Sequence, residues 1–297
     1  MQDQPAERPD RWTWRVGHGR EIDLSRRGVL MGVLNVTSDS FSDGGRFSDV
    51  AAALAEAQAM ADAGATIIDV GGESTRPGAE PVDAETEQAR VLPVITALAE
   101  RFADNEAMLI SVDSYRVETA RLALEAGAHI INDISGLQGE PGMAELARET
   151  GAGLVVMHTG RGREKLPDVI EDQMVFLGRS LELAEAAGVD ARQIVLDPGF
   201  GFAKDNDDNF ALMARFGALH AFGRPFLVGT SRKRFLGAAT GREAGERDVA
   251  TAATTALLRA AGARIFRVHD VAKSRDALSV TEAMCDRLAQ ETGSDVS

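Results

Sequence analysis

The 297 residues carry a formal net charge of −14, which argues against nucleic acid or an anionic membrane as the main partner, since both require basic patches. Hydrophobic residues make up 44% of the chain and aromatic ones only 5%, so the core has to be assembled from Ala, Val, Leu and Ile, as α/β proteins do. One cysteine, Cys285, excludes an internal disulfide, and no group of Cys and His has zinc-ligand spacing.

Residues 1–10 are polar with two prolines and read as a disordered tail. Residues 12–16 and 21–24 flank Gly17-His18-Gly19-Arg20, the pattern of a short β-hairpin. The first inner strand is expected over 29–36, followed by a polar loop, 37–47, that should be mobile, and a helix facing the core with Val50, Leu54, Ala57 and Ala61. A strand over 66–70 leads through Gly71-Gly72-Glu73-Ser74-Thr75-Arg76-Pro77-Gly78 to a helix with Val91, Val94, Ile95, Leu98 and Phe102 on one face. The third unit ends its strand on Asp113, the fourth on Asn132-Asp133 and the fifth on His158; their helices carry Val117, Ala120 and Leu124, then residues 143–150, then Ile170, Met174, Leu177, Leu181 and Ala184.

The sixth unit is the clearest. Ile194-Val195-Leu196 is too short for a buried helix, reads as a strand covered on both faces, and stops on Asp197 followed by Pro198 and Gly199. Asp197 is thereby set at a strand tip, ahead of a helix over 206–220. The seventh strand, 226–228, leads into Gly229-Thr230-Ser231-Arg232-Lys233 and a helix facing inward with Val249, Ala253, Leu257 and Ala260. The eighth, from Ile265, passes Arg267 and His269 before a closing helix through Ala277, Thr281, Met284 and Leu288, with Cys285 as a small apolar filler.

Eight strands alternating with eight helices predict a single (β/α)8 barrel of the TIM type, about 250 residues being usual for one, here spanning 11–292 with a short tail at 293–297. The alternative is a doubly wound open sheet, but Gly199-Phe200-Gly201 lacks the rest of a dinucleotide fingerprint and no P-loop is present. With no leader pattern and no long apolar segment, a cytoplasmic enzyme is expected.

In such a barrel the strand tips and the loops after them build the active site. Asp113, Asn132 and Asp197 there suit the donor-rich edge of a flat heterocycle, whereas Arg76, Arg267 and His269, with Asn35, suit a phosphate. The competing reading is a ring of mutual salt bridges at the rim. Asp69 and Glu73 read as organisers of hydrogen bonds at the barrel mouth, and His18, His129 and His220 as structural.

The runs MGVLNVTSDSFSDGG (31–45), DVGGESTRPGAE (69–80), SVDSYR (111–116), NDISG (132–136), DPGFGFAK (197–204), GTSRKRFLG (229–237) and RVHDV (267–271) resemble the dihydropteroate synthase family, in order and over nearly the full length. The resemblance implies condensation of 6-hydroxymethyl-7,8-dihydropterin pyrophosphate with p-aminobenzoate, a requirement for Mg2+, and a homodimer with small-molecule substrates as its other partners. It also implies site roles. Asp113, Asn132, Asp197 and Lys233 would bind the pterin with Met157 lining the pocket; Asn35 would hold metal and pyrophosphate, joined by Thr75, Arg76, Arg267 and His269; Ser231, Pro77, Phe41 and Phe202 would receive p-aminobenzoate, with Asp43 supporting them. Asn35, Asp113, Asp197, Lys233, Arg267 and His269 form the expected catalytic set. Two departures stand out: Ser38 where the family usually has Pro, and His158-Thr159-Gly160-Arg161-Gly162 in place of the commoner M-H-M-x-G run, so His158 is given no direct role. A pterin-binding methyltransferase domain and a non-catalytic paralogue remain as alternatives.

Overall fold

The computed structural model describes residues 12–36, 46–73 and 82–292. Two short strands, β1 (Thr13–Val16) and β2 (Arg20–Asp23), form the antiparallel hairpin. The eight apolar runs become parallel strands: β3 (Val29–Asn35), β4 (Ile67–Gly71), β5 (Leu109–Asp113), β6 (Ile130–Asp133), β7 (Gly153–Met157), β8 (Ile194–Asp197), β9 (Leu227–Val228) and β10 (Ile265–Val268). They pair in chain order from β3 to β8, and β10 lies between β3 and β9. One parallel bridge, Leu196 to Phe226, joins β8 to the start of β9 and closes the (β/α)8 barrel.

Alternate side chains of each strand point to opposite faces, so both faces must be covered. Leu30, Ile68, Ile110, Ile131, Leu154 and Phe266 belong to the layer shared with the helices, while Met31, Ile67, Leu109, Val155, Val195 and Ile265 fill the barrel. The hairpin stops its lower end. Trp14, Val16 and Leu24 pack on that inner layer, and the Trp14 indole N–H donates to the Gln193 carbonyl at 2.7 Å.

The helices are α1 (Arg46–Asp62), α2 (Ala84–Arg101), α3 (Val117–Glu125), α4 (Met143–Thr150), α5 (Val169–Ala187), α6 (Asn206–Ala214), α7 (Arg234–Thr240), α8 (Asp248–Ala260) and α9 (Val271–Thr292). The sequence periodicity places α2 correctly: Asp83 caps it by accepting from the Thr86 N–H at 2.7 Å, and Val91, Val94, Ile95 and Leu98 are buried. The sixth helix stops at Ala214 and continues as a 3-10 segment, Phe216–Phe222, and α7 is an extra short helix ahead of α8.

The expected faces of three helices need correction. In α5, Met174 is exposed and Phe176 takes the core position. In α8 the predicted apolar face points outward, with Val249 74% and Leu257 59% exposed. The inward face carries Thr251, Thr254 and Thr255, because α8 packs against a polar turn: Thr230 and Thr254 hydroxyls bond at 2.7 Å, and the Arg232 N–H donates to Thr251 Oγ1 at 3.1 Å. In α9, Met284 and Leu288 are likewise exposed, while Val271 and Leu278 are buried. The expectations of a disordered 1–10 tail, a mobile first loop and a 293–297 tail fall outside the described residues.

His129, 6% exposed near the foot of the barrel, takes the Ile110 N–H on Nδ1 at 3.2 Å. Burial, with help from the Arg20 charge, pulls its imidazole down to about 4. The unfolded chain therefore binds this proton first as pH falls, and the stability His129 provides is full above 6.5 and lost progressively toward 4. His129→Gln is expected to gain on the unsubstituted chain in urea midpoint between pH 7 and 4.5, by at most about 1.4 kcal/mol per pH unit. A gap that does not change with pH would show that folding leaves the proton affinity of His129 unchanged.

Candidate active site

The strand parity that fills the barrel with Ile67, Leu109, Val195 and Ile265 also turns Asp69, Asp113, Asp197 and Arg267 inward, two or four residues further along. Register then sets them side by side. Asn35 partners Gly71, Gly71 partners Asp113, Asp113 partners Asn132, and Met157 partners Asp197. The polar tips thus form one ring at the C-terminal end of the barrel.

Arg267 is the hub of that ring. Its Nε donates to Asp69 Oδ2 at 2.6 Å and its Nη2 to Asp113 Oδ2 at 2.7 Å, while Asn132 Nδ2 donates to the same Asp69 oxygen at 3.0 Å. Burial drives the Asp113 carboxyl upward against the pull of Arg267. Arg267 itself would be lowered by burial, but the facing Asp69 and Asp113 charges raise it.

Asp197 ends β8 and is 5% exposed. Its Oδ1 accepts the Gly199 N–H at 2.7 Å; burial raises its carboxyl, opposed chiefly by the Lys233 charge. Gly199, at φ +64°, has no room for a side chain, since a Cβ would lie 1.9 Å from the His158 carbonyl oxygen. The turn then offers the Phe200 carbonyl to Lys233 Nζ, which also stands 4.6 Å from the centroid of Phe202. Burial lowers the Lys233 amine to about 8, with Asp197 pulling it back up.

A buried clamp supports this turn from behind. His158, fully buried, lies 2.8 Å from Lys204 Nζ through Nδ1 and 2.9 Å from both Asp172 Oδ2 and Arg163 Nη2 through Nε2. Lys204 also donates to the Gly199 carbonyl at 2.9 Å, and Gln173 Nε2 to that of Pro198 at 2.8 Å. Across the mouth, Ser231 Oγ and His269 Nδ1 are 2.9 Å apart, and the His269 N–H donates to the same hydroxyl at 3.1 Å. Arg232 turns away to a bidentate pair with Asp248, at 2.7 and 3.0 Å.

Residues 31–269 match the family described as pterin binding enzyme. The chain is 43% identical over 266 residues to the dihydropteroate synthase of Bacillus subtilis (strain 168), covering 90% of this chain and 92% of the relative. The chain belongs to the dihydropteroate synthase family. Its fold matches the dihydropteroate synthase of Xanthomonas albilineans solved with 4-aminobenzoic acid, at TM-score 0.85 and 41% identity over 92% of this chain and 98% of that one. A second structure from that organism, in complex with 7,8-dihydropteroate, matches at TM-score 0.82 and 39% identity, over 91% and 98%.

Of the positions that likeness to dihydropteroate synthases singled out, Asp113, Asn132, Met157, Asp197 and Arg267 lie on the inward ring, with Lys233 reaching in from the loop after β9. Phe202 is under Lys233, and Ser231 and His269 form one hydrogen-bonded pair although sequence reasoning assigned them to different subsites. Thr75, Arg76, Pro77, Phe41 and Asp43 lie outside the described residues. Arg267 was grouped with the phosphate ligands, yet its guanidinium is engaged by the carboxylates of the heterocycle group. Glu73 accepts from Tyr115 Oη at 3.3 Å and Arg116 Nη2 at 3.0 Å, and Arg116 Nη2 also donates to the Val82 carbonyl at 2.6 Å, so Arg116 ties together the two residues flanking 74–81. Sequence reasoning missed Arg116, Lys204 and Arg161, although all three stand inside runs already quoted, SVDSYR, DPGFGFAK and residues 158–162, which was the available signal.

Proposed function

We propose that this member of the family is a working dihydropteroate synthase, joining 6-hydroxymethyl-7,8-dihydropterin pyrophosphate to p-aminobenzoate and releasing pyrophosphate. The observation that carries the reading is the pair of buried inward carboxylates, Asp113 and Asp197, with Lys233 beside the second. Desolvated carboxylates gain most from a ligand that brings several N–H donors on one rigid edge, which an aminopyrimidine ring does. Asn132 adds an amide to that edge, Met157 an apolar wall, and Lys233 a donor for ring heteroatoms.

The chemistry then needs little from a base. The C–O bond between the pterin methylene and diphosphate breaks, its electron pair leaving on diphosphate; the amine nitrogen gives its lone pair to the methylene carbon and its proton to water. Buried carboxylates near the ring favour the positive charge that develops there, and His269 offsets charge on the departing group. Ser231, fixed on His269, and Phe202 receive the arylamine.

Asn35 suits a Mg2+ ion. Its amide oxygen and Asp113 Oδ2 lie 3.8 and 3.6 Å from the point a Gly71 Cβ would occupy, so Gly71 sits beside two hard oxygens, the second of which already accepts from Arg267 Nη2. A Mg2+ ion held there would take most of its ligands from water and substrate phosphates. When bound, it supplies countercharge to the diphosphate.

The same reading includes a homodimer and a cytoplasmic location. Among the described residues no helix is long and apolar enough to cross a membrane. Val249 and Leu257 on α8 and Val280, Met284 and Leu288 on α9 are 48 to 74% exposed on two helices that pack together, and apolar patches of that kind mark protein interfaces. Leu257→Glu is expected to sediment as a monomer with its barrel intact; an unchanged sedimentation coefficient would remove this face from the interface. Synthase activity itself is tested by assaying pyrophosphate and dihydropteroate with each substrate and Mg2+ omitted in turn.

A further inference from the structure

The backbone after β8 follows a costly path, and the residue that ends it also holds it. Gly199, Gly201 and Ala203 take φ of +64°, +79° and +52°, so every second residue between Asp197 and Lys204 is left-handed. At Ala203 that conformation carries a steric cost, because an L side chain crowds its own backbone there. The path also turns carbonyl oxygens into the protein, where each needs a donor. Gln173 Nε2 donates to the Pro198 carbonyl at 2.8 Å, and Lys204 Nζ donates to those of Gly199 and Phe202 at 2.9 and 3.5 Å. The Gly199 carbonyl accepts the Phe202 N–H as well, at 3.1 Å, and Asn209 Oδ1 takes the Gly201 N–H at 2.7 Å. The Lys204 side chain therefore runs back beneath its own turn.

Lys204 is 9% exposed, and its amine meets His158 on the far side, 2.8 Å from Nδ1. His158 is braced by Asp172 and Arg163, and its backbone N–H donates to the Asp197 carbonyl at 2.8 Å, so Lys204 ties the end of β7 to the end of β8. Burying a lysine is costly: burial brings this amine down to about 7, with Lys233 adding to the effect and Asp197 and Asp172 opposing it. Protonated or neutral, the amine keeps N–H donors for the turn. Gly199 links that donor to the site. Its carbonyl accepts from Lys204, while its N–H donates to Asp197 Oδ1 at 2.7 Å. We propose that Lys204 is a positioning residue for pterin recognition: acting through Gly199, it sets the carboxylate of Asp197 and touches no substrate itself. This rests on the synthase reading given above and deepens it.

Lys204→Met keeps the apolar stem and removes the donors. The kcat/KM for dihydropterin pyrophosphate is measured at saturating p-aminobenzoate and Mg2+ for the unsubstituted enzyme, Lys204→Met, Asp197→Ala and the double variant, a cycle that isolates the coupling of the two residues. Lys204→Met alone is expected to lower it about tenfold, the size of one donor lost to a buried carbonyl, and calorimetry should show the Kd of 6-hydroxymethylpterin rising by the same factor. In the Asp197→Ala background the loss should shrink to about twofold or less, because the group that Lys204 positions is gone. Lys204→Gln, which keeps a neutral donor on a shorter stem, carries the same cycle if Lys204→Met does not fold. An equal loss in both backgrounds, no loss in either, or failure of both variants to fold would each make Lys204 a support of the fold alone and overturn the inference, with the synthase reading intact. Absence of dihydropteroate from the unsubstituted enzyme would overturn the synthase reading itself.

Discussion

Asp197→Ala should lose roughly 2 to 5 kcal/mol of pterin binding without loss of the fold. The carboxylate sits at the end of β8 at 5% exposure, where burial disfavours its charge, so the free protein bears a desolvation cost that only a donor-bearing ligand recovers. Removing the carboxylate lifts that cost from the folded state and takes away one hydrogen bond, from the Gly199 N–H. Binding and stability therefore separate. Calorimetry with a pterin, beside a thermal melt, reads both; unchanged pterin affinity would make Asp197 a structural cap of the turn.

Arg267→Met should behave in the opposite way, lowering stability as well as binding. It leaves Asp69, fully buried, and Asp113 without the cation that bridges them, and breaking a buried pair by removing one partner typically costs about 3 to 5 kcal/mol. Sequence alone puts Arg267 with His269 among the phosphate ligands, which predicts a loss restricted to the pyrophosphate ester. The observed pairs predict that Arg267→Met weakens unphosphorylated hydroxymethylpterin too, while His269→Ala remains selective for the ester. Protonation relieves the abandoned carboxylates, and burial already raises Asp113, so the stability deficit should be larger at pH 8 than at pH 5. Urea midpoints of equal deficit at both pH values would mean that another group replaces the lost charge.

The barrel was legible because the inner strands are covered on both faces and so read as short, mostly apolar runs, several of which lead to a polar residue, Asp113, Asn132 or Asp197. The orientation of α8 was not, because apolarity was taken to mean inward. There the inward face serves the Thr230 to Arg232 turn through Thr251 and Thr254, and the apolar residues Val249 and Leu257 are on the other side. Site membership could be read from strand tips, whereas partners could not: which carboxylates Arg267 joins, that Ser231 bonds His269, and that Arg161 lies over Phe202 all depend on register and loop path across 38 to 198 residues of chain. Lys204 was quoted within its motif, but nothing in the sequence tells a buried clamp from a surface lysine.

The central claim, that this barrel joins a dihydropterin to an arylamine, is tested most directly by following pyrophosphate and dihydropteroate together in one reaction. With dihydropterin pyrophosphate, p-aminobenzoate and Mg2+ present, the two products should form in equal amounts, and omission of any one component should abolish both. Pyrophosphate released without dihydropteroate, or methyl transfer from methyltetrahydrofolate to a corrinoid with no dihydropteroate made, would contradict it.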